Sequence, residues 1–146
     1  MPKRRVVITG MGIVSPVGNT ISDAWDNLLN GKSGITRITR FDASALASQI
    51  AGEVKDFDIT QYMIVKEARR MDIFIHYGMA AAMQAVKDAG IEDVTNSEID
   101  PDRIGVNIGS GIGGLPMIEK TDAVYHKKGP RKISPFFIPS TIINMI

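Results

Sequence analysis

The sequence predicts a layered α/β domain with parallel strand pairing, and three features carry that reading. A short β-branched run at residues 5–9 is closed by Gly10 and Gly12, a long segment at 71–89 repeats apolar residues at helical spacing, and a second run at 103–108 precedes a cluster of glycines. Strand, helix, helix and strand in that order suit parallel strands joined by crossing helices.

Each element has its own signal. Residues 5–9 read Arg-Val-Val-Ile-Thr, a short run bounded by turn formers, as a buried strand should be. Thr20 and Asp23 have the spacing of a capping box, and Ile21, Ala24, Trp25, Leu28 and Leu29 fall on one face before Gly31 stops the helix. From Gly34 to about Tyr62 no period is sustained, which predicts an irregular surface excursion. Met71, Phe74, Ile75, Gly78, Met79, Ala82, Val86 and Ala89 then follow three- and four-residue steps up to Gly90, the mark of a long core helix. A polar connection over 92–102 leads to the second strand at 103–108. Near the end, Pro139, Ser140 and Thr141 read as the opening of a helix, since a hydroxyl caps free N–H groups and proline suits a helix entrance. Residues 133–146 carry no charge, and leaving Ile142, Ile143, Met145 and Ile146 in water forgoes roughly 1.5–3 kcal/mol for each side chain that can be buried. The expectation is a chain cut before its natural end, with part of its chemistry further along.

Composition narrows the function classes. An apolar fraction of 44% in 146 residues supports a core, and a charged fraction of 23% argues against disorder. A net charge of +1 gives no global reason to expect nucleic acid. Cysteine is absent, which removes disulfides, thiolate nucleophiles and cysteine metal sites from this stretch. The apolar run 6–8 is too short for a signal-peptide core or a membrane span, so a cytoplasmic protein is expected.

The glycine turns at 109–114 and, as a half-match followed by Pro16, at 10–15, together with two cationic clusters, are the candidates for chemistry. Gly109, Gly111 and Gly114 match G-x-G-x-x-G after a strand, the pattern that brings a pyrophosphate to a helix N-terminus; the alternative is tight turns and close backbone packing. A nucleotide-binding unit continues with a second strand and an acidic residue about 20 positions on. Here that stretch is Lys127-Lys-Gly-Pro-Arg-Lys132, which supplies neither. Lys66, Arg69 and Arg70 are expected to crowd the opening turns of the long helix, where the backbone already carries positive potential. Lys127, Lys128, Arg131 and Lys132 form a second cluster. Each cluster has a bland reading as a solvated surface, and together they point to an acidic, phosphate-bearing protein partner. His76 and His126 have no carboxylate or hydroxyl at telling spacing, Ser110 lacks the nucleophile-elbow pattern, and no acidic residues have metal-ligand spacing.

Taken as a set, four segments resemble the type II β-ketoacyl-acyl carrier protein synthases. They are Arg4-Arg-Val-Val-Ile-Thr-Gly-Met-Gly-Ile-Val-Ser-Pro-Val-Gly18, Lys66-Glu-Ala-Arg-Arg-Met-Asp72, Gly109-Ser-Gly-Ile-Gly-Gly114, and Gly129-Pro-Arg-Lys-Ile-Ser-Pro-Phe-Phe-Ile-Pro-Ser-Thr141. The resemblance implies a thiolase-like fold of layered αβαβα type. It makes residues 1–146 the first part of its N-terminal half, with a cap-like excursion at about 34–65. It also implies fatty-acid elongation by decarboxylating Claisen condensation, with a nucleophilic cysteine and two assisting histidines all beyond Ile146. No cofactor or metal is implied. Ile112 and Phe137 are expected at the acyl-chain pocket, Phe137 reaching toward that of a dimer partner. Lys66, Arg69, Arg70, Arg131 and Lys132 are expected to dock an acyl carrier protein with its phosphopantetheine-linked acyl and malonyl groups. A homodimer is implied, without nucleic acid or membrane. The competing readings are a non-catalytic, chain-length-determining polyketide subunit and an unrelated dinucleotide-binding module.

Overall fold

The computed structural model describes residues 3–91 and 100–146. Within the polar connection expected over 92–102, positions 92–99 therefore lie outside the described residues. The chain divides into two compact units, one made of the described residues of Met1–Phe57 and Ala81–Glu92, the other of those of Asp58–Ala80 and Asp93–Ile146.

In the first unit, helix α1 (Ile21–Leu29) begins as its sequence dictates. Thr20 is extended, its Oγ1 accepts the Asp23 N–H at 3.2 Å, and its hydroxyl donates to Asp23 Oδ2 at 2.8 Å. Asn30 and Gly31, the latter at φ +65°, end the helix. Of the expected apolar face only Ala24 is buried; Ile21, Trp25, Leu28 and Leu29 are exposed among the described residues. Ala24 faces the turn closed by reciprocal hydrogen bonds between Ser15 and Gly18, where a Cβ on Gly18 would stand 2.5 Å from the Ala24 nitrogen.

The irregular excursion contains the sheet. Strands β1 (Ile35–Arg37) and β2 (Ile50–Gly52) pair antiparallel, with Ile35 opposite Gly52 and Arg37 opposite Ile50. The Glu53 carboxylate ties the connection by accepting from the Thr39 amide and hydroxyl and the Arg40 amide. This corrects the expectation of parallel pairing between 5–9 and 103–108. Neither run is a strand: Val6 is 94% exposed, Ile8 81% and Val106 82%. A strand exists through hydrogen bonds to a neighbour, so β-branched composition yields one only where a partner edge is present. No described segment offers that edge to either run. Helices with a small sheet nevertheless keep the chain in the α/β class.

Helix α2 (Val65–Ala68) and the long α3 (Ile73–Asp88) follow. At the end of α3 the Gly90 N–H bonds to Lys87 O and the Ile91 N–H to Val86 O, with Gly90 at φ +70°, the paired closure that glycine permits. Residues 81–89 belong to the first unit, and the Gly10–Gly12 turn presses on them. A Cβ on Gly12 would stand 2.0 Å from Ala81 O, and one on Gly10 2.3 Å from Ala85 O.

The second unit holds the start of α3, where Ile75 and Ala80 are fully buried. It also holds α4 (Leu115–Lys128) and α5 (Phe137–Thr141). The closing helix begins two residues before Pro139. Ser140 and Thr141 lie at its end and not at its opening, their hydroxyls donating back to Phe137 O at 2.8 and 3.0 Å. Both side chains are buried, and satisfying a buried hydroxyl on the helix's own carbonyl leaves it unable to cap a new turn.

Candidate functional site

Four cations from three stretches of the second unit meet in one cleft of about 220 Å³. Arg69 and Arg70 follow α2, Lys120 lies on α4, and Lys132 lies in the turn after Gly129. Met117, Val124, Ile133 and Phe136 supply apolar walls, and among the described residues no aspartate or glutamate lines the cleft. Several positive charges beside an apolar wall favour an anion, because the wall weakens screening by water. The Arg70 guanidinium carbon lies 4.4 Å from the Phe136 ring centroid, a cation–π contact that orients its fork of donors.

The local setting differs from the sequence expectation. Lys66 lies in the last turn of α2, Arg69 caps its C-terminus, and α3 starts only at Ile73. The cations do not crowd the entrance of the long helix; they follow a helix end, where exposed carbonyls favour positive charge. Convergence, not misplaced charge, sets these cations apart: Arg69, Arg70 and Lys132 line one cleft, while Lys66 and Arg131 are exposed and do not line it. Lys127 and Lys128, with His126, occupy the last turn of α4, a favourable place for cations. The sequence reading passes over Lys120. A signal was present, since Met117, Lys120, Thr121 and Val124 stand at three- and four-residue steps on one helix face, and all four line the cleft.

Ile112 is 71% exposed in the glycine cluster and lies outside this cleft, as does half-buried Phe137 at the first position of α5. Its neighbour Phe136 is the ring that the cleft uses. The glycine motif does lead into a helix, α4, but the donors at that helix start are occupied. The Gly114 N–H bonds to Thr141 O at 3.0 Å, Pro116 has no N–H, and the Met117 N–H bonds to Asp72 Oδ2 at 2.8 Å. A carboxylate thus stands where a pyrophosphate would bind. Gly113 and Gly114 allow close backbone approach, whereas Gly109 and Gly111 have open space around a would-be Cβ.

His76 has a structural partner: its Nε2 lies 2.9 Å from Ala68 O, which only accepts, so that nitrogen is the donor. His126 corrects the expectation that no carboxylate stands at telling spacing, because Asp122 is one turn away with Oδ1 at 3.4 Å. Both side chains are exposed, the mark of a weak surface pair. Among the described residues no group of three metal-ligating side chains is assembled, and no helix is long and apolar enough to cross a membrane.

Comparison with known proteins adds independent findings. The family model described as "Beta-ketoacyl synthase, N-terminal domain" matches residues 3–146. The chain is 56% identical over 146 residues to a 3-oxoacyl-[acyl-carrier-protein] synthase 2 of Vibrio harveyi, covering 100% of this chain and 34% of that protein. It is 57% identical over 146 residues to the protein of the same name from Vibrio cholerae, with the same coverages. It spans about a third of the length of these relatives. Among solved structures, the ishigamide ketosynthase/chain length factor aligns with TM-score 0.72 and 29% identity over 94% of this chain and 34% of that one.

Proposed function

The chain belongs to the β-ketoacyl synthase N-terminal-domain family and has its thiolase-like fold, and from that premise we propose that the whole protein elongates fatty acids as a 3-oxoacyl-carrier-protein synthase. The reaction is a decarboxylating Claisen condensation. A cysteine thiolate outside residues 1–146 takes the acyl group from a carrier thioester and releases the carrier thiol. Loss of CO₂ from malonyl-carrier then gives an enolate carbon that attacks the acyl-enzyme carbonyl and expels the thiolate, while two histidines, also outside this chain, assist. This chain has no cysteine and contributes recognition.

The observation that carries the reading is the gathering of Arg69, Arg70 and Lys132 in one partly apolar cleft that no acidic side chain lines among the described residues. Such a surface complements an acidic carrier protein, and charge complementarity of this kind speeds and orients docking. Lys66 and Arg131 extend the positive face outside the cleft. Ile112 and Phe137 line the acyl pocket, and residues at about 34–65 are a cap-like excursion. The protein works as a homodimer in the cytoplasm. These assignments rest on the matched motifs and on relatives whose names specify the carrier protein.

Reversing Arg69 and Arg70 to glutamate in the whole enzyme is expected to raise KM for acyl-carrier substrates much more than for small thioester mimics. Equal effects on both refute the docking role. The likeness to a ketosynthase/chain length factor keeps a second reading, a non-catalytic chain-length-determining subunit. Formation of β-ketoacyl-carrier and CO₂ by the whole protein alone decides for the synthase, and binding without product decides for the subunit.

A further inference from the structure

We propose that Lys120 is a further contact for the acidic carrier protein and that the buried Asp72 carboxylate is the positioning residue that holds it opposite Arg69 and Arg70. The inference rests on the docking reading above and adds a second wall to it.

Asp72 is only 5% exposed, and its carboxylate is engaged by backbone donors. One oxygen accepts the N–H of Ile73 at the start of α3, and the other accepts the N–H of Met117 in the first turn of α4, 45 residues away in sequence. Gly114, which caps α4, offers no side chain for that purpose. A helix leaves its first N–H groups without internal partners, and a carboxylate there satisfies one and meets the positive end of the backbone dipole. Asp72 therefore supplies from another segment the cap that α4 lacks locally. Gly114 makes the approach possible, since a Cβ there would stand 2.9 Å from Asp72 Oδ2 and 2.8 Å from Thr141 Cα.

The consequence reaches the cleft because both walls hang on this one carboxylate. Arg69 and Arg70 lie three and two residues before Asp72, and Lys120 follows Met117 by three residues on the same face of α4; both arginines, Met117 and Lys120 line the cleft. Lysine is a compact charge on a flexible stem, so the place of its backbone decides whether it bears on an anion held by the arginines. With α4 anchored, an acidic side chain of the carrier entering the cleft is met from both sides.

The test measures KM for acyl-carrier relative to a small thioester mimic in the whole enzyme. Lys120→Glu is expected to raise that ratio by about three- to tenfold, the scale of a rim charge in a complementary interface. If Arg69→Glu raises the ratio and Lys120→Glu does not, the Lys120 role is overturned and the docking reading stands. If neither raises it, both fall. For Asp72, the Lys120→Glu effect is expected to shrink to within about twofold in an Asp72→Ala background, because coupled residues are non-additive. It is expected to return in Asp72→Asn, which keeps an acceptor oxygen. An equal Lys120→Glu effect in all three backgrounds overturns the positioning role. A merely structural loss would scale kcat with the folded fraction and leave this ratio unmoved. Should the alanine variant not accumulate, Asp72→Ser takes its place: its side chain is too short to reach the Met117 amide, so the Lys120→Glu effect should shrink there too, and an undiminished effect overturns the positioning role.

Discussion

Replacing Gly12 by alanine puts a methyl carbon 2.0 Å from the Ala81 carbonyl oxygen and 2.8 Å from both the Ala85 nitrogen and the Gln84 Cβ. Ordinary contact starts at 3.4 Å, so the turn or the helix must yield by 3.4 − 2.0 = 1.4 Å against rigid backbone. Overpacking of this kind costs about 1–3 kcal/mol. The displacement also strains two flanking hydrogen bonds, Met11 N–H to Asp88 Oδ2 at 2.9 Å and Ile13 N–H to Gln84 Oε1 at 3.3 Å. Losing them adds about 0.5–1.5 kcal/mol each, for a total of roughly 2–6 kcal/mol. Native-state hydrogen exchange in the whole protein is the assay, read at the amides of residues 85–89, whose opening free energy should fall by that amount. Gly109→Ala is the control: nothing lies within 4 Å of its would-be Cβ, so the exchange should hardly change. A Gly12→Ala change below about 0.5 kcal/mol, the scale of an ordinary surface substitution, refutes the claim that this glycine serves backbone packing.

Two further outcomes are expected. Phe136→Leu keeps apolar bulk but removes the ring 4.4 Å from the Arg70 guanidinium. At about 0.5–1 kcal/mol for an exposed cation–π contact, KM for acyl-carrier should rise roughly two- to fivefold, while Phe136→Tyr should stay near wild type; equal behaviour of the two variants contradicts the role given to the ring. The Thr39 hydroxyl, then the Thr39 amide, hold the Glu53 carboxyl below its usual range against an opposing effect of burial, with a lesser contribution from Arg40. A depressed folded-state value means that this contribution is complete above the unfolded-state value and is lost as pH falls through the folded-state value. Protection of the Thr39 and Arg40 amides should therefore weaken at acidic pH below the ordinary glutamate range, and Glu53→Gln should abolish that dependence. Protection that follows pH identically in both proteins removes Glu53 as the cause.

What the sequence determined by itself are the features decided within a few residues. Thr20 and Asp23 define the start of α1 because the hydroxyl three positions before Asp23 accepts its backbone N–H and in turn donates to its carboxylate. Gly90 ends α3 because only the left-handed conformation it adopts freely lets the last amides turn back. The four matched segments place the chain in its family for a related reason, since motif order is written along the chain. Tertiary structure decided everything that needs a distant partner. Whether 5–9 and 103–108 become strands depends on an edge to pair with, which composition does not encode. The cap on α4 comes from Asp72, 45 residues upstream of the amide it accepts, and no local pattern around Gly114 announces it. Lys120 joins Arg69, Arg70 and Lys132 only because packing brings three separated stretches to one cleft. A charge acquires a partner by its position in space, and position in space is what folding adds to sequence.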